Sequence, residues 1–346
     1  MLSSSISQLL DNIKIITEHL AYLSDSKDLV IAVNPNAISS ITEKNKLKSL
    51  KKRINKERVF NYNSNIITLY GYFEQYIEAL IEEYINNLVG IVEKFDNNNS
   101  TIKQQFFNKW ERLYNKLAYP KYAHLTEEIL IQSLYNSRIT NINHLIPEYY
   151  YQNGGNYKHS VICECFAGLG IENVSQMIKV YEPLHSYFKN KGIYNQNDDI
   201  LYEILNDLVA RRNDVAHGNN STILDISYFR EYVDYIEMYA KSLNALLIDN
   251  LYMQKWETTN SQIIDIKHLY HNRIIEIEVE DFVVEVGHKI LVKEPDGNFP
   301  RFSIREIKSI HKNNIARNDF LTYVKDTVAL GLSMNIKKKC KFKMLC

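Results

Sequence analysis

Within six positions of this 346-residue chain, Arg212, Asn213 and His217 bring together a fixed cation, an amide and an imidazole. The guanidinium of Arg212 stays charged at any working pH, and its planar fork of donors matches phosphate oxygens. An unperturbed imidazole titrates near ~6.5, so His217 can give or take a proton at neutral pH. Asn213 sets a polar side chain directly beside the charge. Gly218 follows the histidine as a natural helix stop, which predicts His217 at an exposed helix end. The set is suited to proton transfer and charge stabilisation at a phosphate ester. The structural alternative is that the arginine satisfies helix carbonyls while the histidine favours the negative end of the helix dipole.

The elements that must hold these residues read as helices. Only 6 Pro and 11 Gly punctuate the chain, which favours long helices over a many-turned β fold. Residues 1–25 form an amphipathic stretch with Leu9, Ile13, Ile16 and Leu20 at helical spacing. From Ser64 to Phe95, the residues Leu69, Phe73, Ile77, Leu80, Tyr84 and Leu88 make one apolar stripe, with Glu74, Glu78, Glu82 and Glu83 off it. Further helices are expected around 101–118, 124–136, 158–168 and 172–189. Two more flank the chemical segment. The first begins near Asp198-Asp199 and buries Leu201, Leu205 and Leu208. The second opens with a capping-box-like Thr222–Asp225 and continues through Phe229, Val233, Ile236, Ala240, Leu243 and Leu247.

Around Trp256 the pattern changes to β-branched and aromatic residues interleaved with polar ones. Glu294-Pro295-Asp296-Gly297 is a turn between two such runs, and Phe302–Ile310, Thr322–Leu332 and Cys340–Met344 continue the style. The expected organisation is an N-terminal helical extension over 1–57, a helical bundle over 58–254 and a small β-rich domain over 255–346. The fold class is therefore mainly α with a β-rich C-terminal domain. That last part carries 16 Lys and Arg against 12 Asp and Glu, a surplus of four, with Lys337, Lys338, Lys339, Lys341 and Lys343 supplying much of it.

Overall the formal charge is zero, so any nucleic-acid contact must come from local patches. The basic run from Lys44 to Arg58 is one candidate, though such runs are usually solvated faces. Cys163, Cys165, Cys340 and Cys346 are too few for a disulfide scaffold, which points to a reducing cytoplasm. Cys163-Glu-Cys165 has no second pair at zinc-finger spacing, so no metal site is expected. His268, His271, His288 and His311 show no metal-binding spacing and read as surface residues. Tyr149, Tyr150 and Tyr151 could stack bases, but core packing explains them better at this tyrosine abundance. The absence of a Walker-type glycine loop disfavours nucleotide hydrolysis. The first residues, with no basic stretch ahead of an apolar core, do not read as a secretory signal, and no apolar run is long enough to cross a bilayer as a helix.

The segment Leu208–Gly218, LVARRNDVAHG, resembles the Arg-polar-x-x-x-His motif of the HEPN superfamily, in the branch found in bacterial toxin and phage-defence proteins. The stretch TLYGYFEQYIEALIEEYI is similar to the opening helix of that branch, and the likeness spans roughly residues 60–250. It implies a HEPN-like bundle and a metal-independent RNA endonuclease that needs no cofactor. In such an enzyme the RNA 2′-hydroxyl is the nucleophile, and cleavage leaves a 2′,3′-cyclic phosphate and a 5′-hydroxyl. It further implies a homodimer in which two motifs face one cleft, with an antitoxin or sensor as possible partner. In that picture Arg212 stabilises the pentacovalent phosphate, His217 is the acid or base, Asn213 orients one of them and Arg211 grips the RNA backbone. Relatives often place a tyrosine two positions after the histidine, where this chain has Asn219. A non-catalytic HEPN-like module binding RNA or protein is the competing expectation. A helical structural protein with a chance motif is the third, and it predicts Arg212 and His217 buried or far apart.

Overall fold

The computed structural model describes residues 2–151, 156–218, 226–295 and 299–345. Ten α-helices and ten β-strands lie among them, the helices first and the strands after them. In chain order the helices are α1 Ser4–Ala32, α2 Ile41–Ile91, α3 Ser100–Tyr114, α4 Glu127–Arg138, α5 His159–Ala167, α6 Val174–Ile178, α7 Leu184–Asn190, α8 Asp198–Leu201, α9 Glu203–Ala216 and α10 Ile226–Thr258. The chain divides into two compact units, one of residues 1–86, 99–139 and 145–246, the other of 87–98, 140–144 and 247–346.

The first unit is the helical bundle. Leu69, Phe73, Ile77, Leu80 and Tyr84 of α2 are all buried, as the apolar stripe requires. They meet α10, where Phe73 packs edge-on to Tyr239 at 5.9 Å and the Tyr76 hydroxyl donates to the Ala240 carbonyl at 2.8 Å. Buried tyrosine hydroxyls are costly without a partner, and several of these find one in main-chain carbonyls, although the Tyr150 hydroxyl is buried with none among the described residues. Tyr235 donates to Leu201 at 2.7 Å and Tyr202 to Ser175 at 2.8 Å. This is how a chain with 25 tyrosines builds a core from them. Tyr149, Tyr150 and Tyr151 are buried likewise.

Several elements differ from the periodicity. Helix α2 begins at Ile41, so the basic run lies on its first turns rather than ahead of it. The single helix expected over 172–189 is two, with Pro183 as the N-cap of α7, because proline has no N–H to continue a helix. The helix expected from Asp198 is divided at Tyr202, which leaves the helical conformation and serves as C-cap of α8. The capping-box start at Thr222–Asp225 lies outside the described residues, as does Asp296-Gly297.

The second unit carries the strands: β1 Ile264–Asp265, β2 His268–Tyr270, β3 Ile274–Val279, β4 Phe282–Glu285, β5 Lys289–Glu294, β6 Arg301–Lys312, β7 Ile315–Arg317, β8 Asp319–Thr322, β9 Asp326–Leu332 and β10 Lys341–Leu345. Their sheet runs β1-β10-β5-β6-β9-β3-β2 with β7 added to β6, while β4 and β8 pair separately. All pairings are antiparallel. Ile275, Ile277, Ile290, Val292, Ile307, Ile310, Val328 and Leu330 fill the core at alternate or bulge-shifted positions. The run Thr322–Leu332 is interrupted, with β8 ending where Thr322 hydrogen-bonds around a turn to Val324.

Lys343, one of the terminal lysines, has an internal role. Its ammonium donates to the carbonyls of Trp256 at 2.9 Å and Thr259 at 2.7 Å, around the last turn of α10. A cation there satisfies carbonyls that the helix leaves open. The basic tail is thus partly structural. Among the described residues, no helix is long and apolar enough to cross a membrane.

Candidate active site

Helix α9 carries the motif, anchored by Leu205, Leu208 and Val209 in the core. Its last helical residue is Ala216. His217 is the C-cap, with its N–H donating to the Asn213 carbonyl at 2.9 Å. Gly218 then takes φ +69, a left-handed conformation that glycine adopts without strain. The helix stop falls where the sequence places it, and His217 is exposed.

Arg212 is half-buried, its guanidinium 5.1 Å from the centre of the Tyr70 ring on α2. A cation over an aromatic face is attracted by the ring quadrupole. Its Nη1 donates to Asn213 Oδ1 at 3.3 Å, and the same oxygen accepts from Asn156 Nδ2 at 2.7 Å. Asn213 therefore links the arginine to the segment preceding α5. Tyr70 is itself fixed, because its hydroxyl accepts the Tyr157 backbone N–H at 3.0 Å. Burial pushes the Tyr70 phenol up to about 12, with the neighbouring Arg212 charge opposing the rise.

One carboxylate of α2, Glu74, feels this cation. Glu74 is raised above the usual carboxylate range by burial first and by Glu78 second, while Arg212 pulls it back. Glu78 pairs with Lys121 and accepts the Tyr157 hydroxyl at 3.2 Å. Tyr70, Glu74 and Glu78 recur every four residues, so they form one polar line on α2. In the sequence they stand beside the apolar stripe with nothing to mark them as neighbours of Arg212. The spacing was the available signal.

Arg211 points elsewhere. Its Nε donates to Asp207 Oδ2 at 2.8 Å and to the Tyr232 hydroxyl at 2.8 Å, and its Nη1 to the Tyr62 hydroxyl at 3.1 Å. Tyr232 also donates to Asp207. The guanidinium expected to grip substrate thus ties α9 to α2 and α10. Asn219, the departure from the motif, lies outside the described residues.

A second histidine sits in the same unit under opposite conditions. His159 is only 4% exposed, stacked on Tyr202, with Nδ1 2.9 Å from the Tyr239 hydroxyl. Burial lowers its pKa to about 4, so the ring is neutral at pH 7. Its Nε2 lies 3.4 Å from Cys163 Sγ, and burial pushes that thiol up to about 12. This makes Cys163 a poor nucleophile. In the β-rich unit His268 and His271 are exposed, while His288 and His311 are half-buried.

Among curated proteins, the chain is 26% identical over 168 residues to "Eukaryotic translation initiation factor 2-alpha kinase 2" of Plasmodium berghei (strain Anka). That stretch is 43% of this chain but 6% of that protein. The family described as RiboL-PSP-HEPN matches residues 34–249, which contain α2 through most of α10 and the whole Arg212–His217 segment. The chain belongs to this family of HEPN domains, a superfamily associated with RNA and commonly with ribonuclease activity.

Proposed function

We propose that the protein is a metal-independent RNA endonuclease acting as a toxin or antiviral defence effector. The observation that carries this reading is the end of α9: an exposed His217 on a helix stop, five residues beyond an Arg212 held in place from two sides. The RNA 2′-hydroxyl supplies the nucleophile, so the protein needs only a proton carrier and a fixed positive charge. His217 takes or gives the proton, and Arg212 stabilises the charge that develops on the phosphate. Asn213 is a positioning residue, since its side-chain oxygen holds Arg212 and is itself held by Asn156. The products are a 2′,3′-cyclic phosphate and a 5′-hydroxyl.

Five residues on a helix turn two side chains roughly 140° apart and about 7.5 Å along the axis. With the two side chains diverging, a site shared by two protomers in a homodimer, where Arg212 of each copy can meet His217 of the other in one cleft, is the arrangement this reading takes. Arg211 contacts substrate in this scheme only by giving up part of its internal network. An antitoxin or sensor partner, and residence in the cytoplasm, fit the same reading.

A non-catalytic RNA- or protein-binding module is favoured by one fact, that Arg212 already rests on Tyr70 and Asn213. Incubating the purified protein with RNA in EDTA separates the two. Cleavage to cyclic-phosphate ends that persists under chelation and is lost in Arg212→Ala and His217→Ala supports the enzyme. Intact RNA bound by the wild type, with the same affinity in both variants, rejects it.

A further inference from the structure

A cavity of about 440 Å³ opens between the second half of α1, the first half of α2 and Phe229 of α10. Leu20, Leu23 and Val30 line it from α1, and Leu50 and Ile54 from α2, with Tyr62 and Asn65 beyond them. The apolar floor continues outward, leaving Leu29 70% and Leu50 42% exposed. The charge beside it is one-sided. From Lys44 to Arg58 there are eight cations and one acid, Glu57, which pairs with Arg53 at 3.8 Å.

Helical geometry places these charges. Taking Leu50 as zero, Ile54 lies about 40° and Leu47 about 60° round the axis of α2. Lys46 and Arg53 then flank this stripe at about −40° and −60°, with Arg58, Lys51 and Lys44 at about 80°, 100° and 120° on the other side. The result is a trough whose apolar strip on α2 runs about 10 Å within a basic stretch of about 21 Å at 1.5 Å per residue, with Glu57, paired to Arg53, at about −20° where the strip ends.

We infer that this trough receives an amphipathic helix of a partner protein, acidic on its solvent flanks and aliphatic on its buried face. Three observations select that occupant. The aliphatic floor would be covered by leucine-like side chains in the manner of helix-in-groove recognition. Cations on both rims complement carboxylates on both flanks of such a helix. The basic stretch extends past both ends of the apolar strip, farther than a small molecule in the cavity would touch. An RNA backbone would answer the cations but would leave Leu29, Leu50 and Ile54 facing phosphates, which favours the protein ligand.

The occupant would also reach the motif. Tyr62 lines the cavity, and its hydroxyl accepts from Arg211, the residue beside Arg212. Docking itself stands apart from the nuclease proposal, because binding is read without any cleavage.

The test uses the full chain and a fluorescein-labelled synthetic helix of about 16 residues, long enough to span the strip, with leucines at i, i+3, i+4 and i+7 and glutamates elsewhere. A matched peptide with lysine for glutamate and a single-stranded poly(U) RNA serve as comparisons. Anisotropy is expected to give micromolar binding of the acidic peptide, and at least about tenfold weaker binding of the basic one. Leu50→Glu, and separately the pair Lys51→Glu and Arg53→Glu, should each weaken the acidic peptide about tenfold. Both variants alter partly or fully exposed positions, and unchanged circular dichroism verifies their folding. Hydrogen exchange should slow over 20–30 and 47–62 on binding. No binding of the acidic peptide at millimolar concentration overturns the inference. So does RNA binding that is lost in the charge-reversed pair and indifferent to Leu50→Glu, which would make the strip a phosphate surface.

Discussion

Two histidine neighbourhoods within the helical unit show how burial divides one side-chain type into opposite uses. His159 lies inside, stacked on Tyr202 and hydrogen-bonded to Tyr239, and burial has pushed its protonation down to about pH 4. His217 stands on a helix stop in solvent, five residues beyond an arginine whose guanidinium rests over an aromatic ring. The first ring is a core component that happens to carry nitrogen. The second has the access that proton exchange with a substrate demands. A hydrogen-bonded thiol and imidazole in a pocket are thus weaker grounds for catalysis than one exposed imidazole at the right helix terminus.

The contrast breaks most readily by exchanging the consequences. His217→Ala should reduce RNA cleavage by a factor of 10² to 10⁴, the usual contribution of a general acid or base, while leaving the melting temperature unchanged. His159→Ala should do the reverse, lowering the melting temperature with activity per folded molecule intact. Equal loss of activity in both variants, after correction for folding, would erase the distinction.

Acid titration sharpens it next. The unfolded chain protonates its histidine near ~6.5, whereas the folded chain resists until about pH 4. Stability from a neutral His159 is therefore complete above ~6.5 and is lost as the pH falls toward 4, by roughly 3 kcal/mol. Denaturant midpoints across this window should decline in the wild type and decline less in His159→Phe, which keeps a stacking ring without a titrating nitrogen. Identical slopes would remove the burial argument.

The paired arginines allow a similar comparison with smaller effects. Arg211→Ala should cost about 2 kcal/mol of unfolding free energy, since it strips charged hydrogen bonds from three helices. Arg212→Ala should cost less stability and far more activity. Smallest is Gly218→Ala, expected to cost roughly 1 kcal/mol. An added Cβ meets nothing within 4 Å there, so the penalty is the left-handed backbone alone. Calorimetry on each variant gives the ranking.

Much of this was legible in the residues. The motif, its glycine stop, the long apolar stripes and the change to β pattern after Trp256 are local features, and local features survive in sequence. What escaped was set by distance along the chain. Asn156 reaches Asn213 across 57 positions, and Tyr62 reaches Arg211 across 149. Nothing near Arg211 distinguishes it from Arg212, so the division of labour between them emerges only once α2 and α10 are laid beside α9. The internal use of one terminal lysine was hidden in the same way, because Lys343 is taken up by carbonyls 84 and 87 positions earlier.

The hub built on Arg211 has a mechanical consequence. A helix touched along one face can roll about its own axis, and a guanidinium about 6 Å from that axis sweeps about 1 Å for every ten degrees of roll, a misplacement that can cost 10²-fold in rate. Bonds to Tyr62 of α2 and Tyr232 of α10 act as two stays on α9. With α9 anchored to two different helices, its azimuth is restrained, so the aim of the adjacent arginine is set by a residue that need never touch what it aims at.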